Sequence, residues 1–157
     1  MSDDTKFPDR THFEANLVKT LAAFEGQTAT PEVLAAVKAA TEAYAREHEL
    51  ALKIGALSAD IHDIHVKKQF YEEPRTVSHL MGLVMTELAE VVEDDRKREN
   101  GAPSEKIPGF TKEEEETADA IIRLLDFAGY RKLRIGAAIL AKHEYNKSRP
   151  PKHGKRY

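Results

Sequence analysis

Apolar residues recur along this chain at intervals of three and four, and no strand-like alternation stands out. That spacing restricts it to helices. Val33, Val37 and Ala40, then Leu50, Ile54, Leu57 and Ile61, follow the helical period. Ala, Leu, Glu and Lys dominate, and all favour helices. The punctuation divides the chain. A short helix is expected near Thr11 to Phe24, ending before Gly26. Thr30 reads as an N-cap with Pro31 at the first helical position. The helix it opens is expected to run to about Val66, with a break near Gly55. Phe70 to Arg75 is a break, and a helix from Val77 to Lys97 follows. Gly101, Pro103, Pro108 and Gly109 make Glu99 to Phe110 a loop. Thr111 with Glu114 forms a capping box, and Gly129 fits a C-terminal stop. A last helix is expected from Lys132 to Asn146, closed by Pro150 and Pro151. The fold class is all-α, with a four-helix core completed by oligomerisation.

Two of these helices carry carboxylate pairs at i,i+3 spacing, Glu87 with Glu90 and Glu116 with Asp119. Residues three apart share a helix face. Each pair is embedded in apolar residues: Leu80, Val84, Leu88 and Val91 around the first, Ala118, Ile121, Ile122 and Leu125 around the second. A carboxylate at a core margin is costly without a partner. If the two helices pack face to face, four carboxylates converge, and they repel one another unless a cation sits among them. All-oxygen ligation suits Mg²⁺, with Mn²⁺ as a substitute, and Mg²⁺ works mostly on phosphates. The bland alternative is a solvated acidic face.

The rest of the chain fits a polyphosphate substrate. The segment from Lys142 to Arg156 is basic, and Lys142, Asn146 and Arg149 fall near one face of the last helix and its exit. With Lys152 they could neutralise phosphate oxygens that a metal leaves free. The alternative is a solubilising tail. Phe70 and Tyr71 could stack on a nucleobase or cap the core. Arg123, one turn after Asp119, is expected to point at substrate or to pair with Asp119. His62 and His65 have i,i+3 spacing but no apparent third ligand, and read as ordinary helix residues.

Composition sets the outer bounds. The 157 residues suffice for one domain with a core, and the net charge of −3 implies no bulk attraction to nucleic acid. The chain has no cysteine, so disulfides, thiol catalysis and Cys-ligated zinc are excluded. No long apolar run is present, so no membrane span is expected. The polar N-terminus lacks a signal-peptide core, which makes the cytoplasm the expected location.

The order ExxE, loop, ExxD and basic exit helix resembles the MazG-like all-α nucleotide pyrophosphohydrolases. The segment from Glu116 through Asp119 and Arg123 to Asp126 is similar to that family's second motif. Gln69 to Arg75 is similar to the stretch before the first motif in the dCTP pyrophosphatase branch, and Lys142 to Tyr157 to the tail of phage and actinobacterial members. The resemblance covers residues 60–157. Residues 1–59 match nothing in it and form an N-terminal helical extension. It implies an oligomer, dimer or tetramer, and Mg²⁺-dependent attack on the α-phosphorus of a nucleoside triphosphate, giving monophosphate and pyrophosphate. Glu87, Glu90, Glu116 and Asp119 would hold the metal, with Glu90 as the base for the attacking water. Many relatives carry a further glutamate at the position of Val84. A non-catalytic helical interaction protein, or a hydrolase of another nucleotide such as an alarmone, are the competing readings.

Overall fold

The computed structural model describes residues 21–26, 30–99 and 101–150. Among the described residues the architecture is all-α, with four helices and no strand. They are α1 (Pro31–Lys67), α2 (Val77–Lys97), α3 (Lys112–Tyr130) and α4 (Ile135–Lys147). The helix expected near residues 11–24 lies almost wholly outside the described residues.

Local chemistry accounts for the helix ends. The Thr30 hydroxyl accepts from the Val33 amide at the start of α1. Thr76 does the same for His79 at the start of α2, which begins at Val77 as expected. The capping box at Thr111 forms in both directions with Glu114. Two expectations need correction. No break occurs at Gly55, because α1 runs unbroken for 37 residues, about 55 Å. Nor does Gly129 stop α3: the helix continues to Tyr130, and the left-handed residue beyond it is Lys132. α4 accordingly starts at Ile135 rather than Lys132.

The chain divides into two compact units, residues 56–133 and residues 1–55 with 134–157. In the first unit α2 packs along α3, with Leu80, Val84, Ala120, Leu125 and Ala128 buried. The end of α1 joins α3 there through a close contact. A Cβ on Gly129 would lie 2.7 Å from both the Ser58 carbonyl oxygen and the His62 Cβ. The Ser58 hydroxyl donates to the Leu125 carbonyl at 2.6 Å. In the second unit Gly136 of α4 meets the backbone of Ala51, where a Cβ would come within 2.1 Å of the carbonyl oxygen.

Candidate metal centre

Packing of α2 along α3 brings Glu87, Glu116 and Asp119 together, with one carboxylate oxygen of each within 4.8 Å of the others. Glu116 is 8 % exposed, and its Oε2 is buried without a hydrogen-bond partner. An unpaired carboxylate oxygen in that setting is costly. Burial pushes the Glu116 carboxyl up to about 7. Lys106 opposes this rise, while Glu90 and Glu115 add to it, since neighbouring carboxylates disfavour one another's charge. Three carboxylates from two helices could hold a hard divalent cation, with water completing its shell.

Cations of the protein already stand at the cluster's edges. The Arg123 Nε donates to Glu87 Oε1 at 3.0 Å, so Arg123 pairs with Glu87 rather than with Asp119. Lys106 reaches in from the loop between α2 and α3. Its Nζ lies 2.5 Å from Glu115 Oε1 and 3.9 Å from Glu116 Oε1. Glu115 is buried, and Lys106 followed by Ser104 holds its carboxyl below the usual range.

The expected ligands divide. Glu87, Glu116 and Asp119 converge, whereas Glu90 is exposed and outside the trio, close enough to Glu116 to raise its pKa. Val84 is a buried core residue between Leu80 and Glu87. The apolar surroundings are also uneven: Leu80, Val84 and Leu125 are buried, but Leu88 and Ile121 are about half exposed. Lys142, Asn146 and Arg149 lie on α4 and its exit, in the other compact unit. There Lys142 Nζ sits 4.5 Å from the centre of the Tyr145 ring, with Arg149 over the same ring. Lys152 lies outside the described residues.

Tyr71 is committed elsewhere. Its hydroxyl donates to Asp126 Oδ2 at 2.7 Å, and its ring stacks on Tyr130. Phe70 remains half exposed, tilted against His65. Asp126 is only 4 % exposed. His62 Nδ1 is hydrogen-bonded to its Oδ1 at 2.9 Å, and His65 Nδ1 lies 2.9 Å from its Oδ2 without hydrogen-bond alignment. Burial alone would push the Asp126 carboxyl up, but His65, His62 and Tyr71 outweigh it and hold the group below the usual range. The histidines expected to be ordinary helix residues thus serve a buried carboxylate. Spacing alone could not reveal this, because their partner lies more than sixty positions away.

No protein-family model, curated protein or solved structure matches the chain. No described helix is long and apolar enough to cross a membrane.

Proposed function

We propose that Glu87, Glu116 and Asp119 hold a divalent cation, Mg²⁺ or Mn²⁺, and that the protein hydrolyses a nucleoside triphosphate to the monophosphate and pyrophosphate. The observation that carries this reading is the orphaned Glu116 Oε2, buried within a trio of carboxylates. The motif order and the basic exit helix, which resemble the MazG-like enzymes, support the choice of reaction. A divalent ion at such a site supplies an activated water and neutralises phosphate oxygens.

The protein's own groups supply the rest. Glu90, exposed and beside Glu116, would take the water's proton. Arg123 fixes the Glu87 carboxylate through its hydrogen bond. Phe70, in the same compact unit as the trio, has an accessible ring for a base. A homo-oligomer belongs to the same reading. Met85, Leu88 and Val92 share one face of α2 at helical spacing and are 69 %, 51 % and 67 % exposed. Such a face suits a second copy of the chain.

The test is a panel of ribo- and deoxynucleoside triphosphates incubated with Mg²⁺, with products resolved as monophosphate plus pyrophosphate or diphosphate plus phosphate. Asp119→Asn, which keeps the shape and removes a charge, should cost on the order of a hundredfold in turnover. Release of nucleoside diphosphate and orthophosphate, or a variant with normal turnover, would sink the proposal.

A further inference from the structure

The loop between α2 and α3 is built around one residue that has no part in the motif pattern. Ser104 is buried, and its hydroxyl donates to Glu115 in a short contact while accepting from the Ile107 amide at 2.9 Å. The Ser104 amide donates to the Phe110 carbonyl, and the Lys112 amide to the Ala102 carbonyl. An isolated bridge joins Pro103 to Thr111. These bonds close the loop on itself and place Lys106 at the carboxylate cluster. Glu115, which lies outside the converging trio, spends one oxygen on the loop's anchor and the other on the Lys106 ammonium.

We propose that Lys106 is a phosphate-binding residue of this site, its ammonium taking an oxygen of a substrate or product diphosphate group. The proposal rests on the hydrolase reading above. Three observations carry it. The ammonium is 3.9 Å from Glu116, a member of the trio. Its side chain is 68 % exposed, so the tip can turn from Glu115 towards a ligand without unfolding the loop. The loop is closed by its own bonds at Ser104, Pro103 and Lys112, so the backbone of Lys106 is held beside the cluster independently of its ion pair. With a cation among the carboxylates, the ammonium loses part of its attraction to Glu116 and gains an anion if a phosphate follows.

The experiment uses the full chain, Lys106→Met and Lys106→Arg. Mn²⁺ binding is measured without any other ligand. Imidodiphosphate, a non-hydrolysable diphosphate, is then titrated calorimetrically in saturating Mg²⁺. Lys106→Met should bind Mn²⁺ at least as tightly as wild type, since removing one cation cannot weaken a site for another. It should bind imidodiphosphate at least about tenfold more weakly, the equivalent of one charge-assisted hydrogen bond. Lys106→Arg, which keeps the charge, should recover most of that loss. A Lys106→Met protein that holds Mn²⁺ and binds imidodiphosphate like wild type overturns the role of Lys106 alone. Loss of both ligands together with a lowered melting temperature makes the residue structural and also overturns it. A wild-type protein that binds no Mn²⁺ removes the metal reading itself, and this inference with it.

Discussion

Glu116 joins two properties that rarely coexist in a stable core, an ionisable group and an empty hydrogen-bonding oxygen. Its carboxyl moves from 4.5 to about 7, chiefly through burial. Below pH 4.5 the group is protonated whether the chain is folded or not. Between 4.5 and 7 the unfolded chain gives up the proton that the folded chain keeps, so stability is lost as pH rises through about 7. Metal-free protein should therefore melt at progressively lower temperature from pH 5 to about 7 and level off above it, and saturating Mg²⁺ should flatten the trend. Scanning calorimetry on wild type and Glu116→Gln is the check. An equal slope in the variant would mean that another group is responsible.

At the scale of elements, the polar stripe of α3 does two separate tasks. Glu116 and Asp119 meet α2, while Asp126, two turns on, ties α3 to α1 and to Tyr71 in the turn before α2. Asp126→Asn keeps the volume but cannot accept from both sides as a carboxylate does. It should destabilise the fold by roughly 1–3 kcal/mol without altering Mn²⁺ affinity. Because the Asp126 carboxyl is depressed, its contribution is present above its ordinary 3.8 and lost as pH falls through a lower value. The variant's deficit should accordingly shrink in acid, and urea unfolding at pH 7 and pH 3 measures this. A deficit unchanged between the two would dissociate the network from the charge. These assignments also show what a sequence can reveal. Helix identities, the α2 bounds and the Thr111 cap were legible because they depend on neighbours within four positions. The carboxylate trio was legible in part, since i,i+3 spacing marks a face. Spacing could not show that Glu90 falls outside the trio, that Arg123 chooses Glu87, that Lys106 reaches Glu116 or that Asp126 gathers two histidines, because a second element decides each.

The described residues leave much of their apolar surface uncovered. On α3, Ile121 and Leu124 are about half exposed, as is Leu88 in the α2 row, where Met85 and Val92 are more so. If that row is an interface between copies, wild type should sediment as a dimer or larger at micromolar concentration. Met85→Glu combined with Val92→Glu should sediment as a monomer with helical content intact. A wild-type monomer would exclude the pairing.

The contact at Gly129 leaves no space for even a methyl group, because the facing atoms include backbone of α1. In a library of all single substitutions, position 129 would be emptied by any screen that rewards mere accumulation of intact protein. Position 116, whose carboxylate burdens the metal-free fold, would be tolerant or even enriched in that screen, and emptied only when survival requires turnover. The ratio of the two depletion profiles, position by position, separates residues kept for architecture from residues kept for chemistry. Gly129 and Glu116, thirteen positions apart on one helix, mark the two ends of that scale.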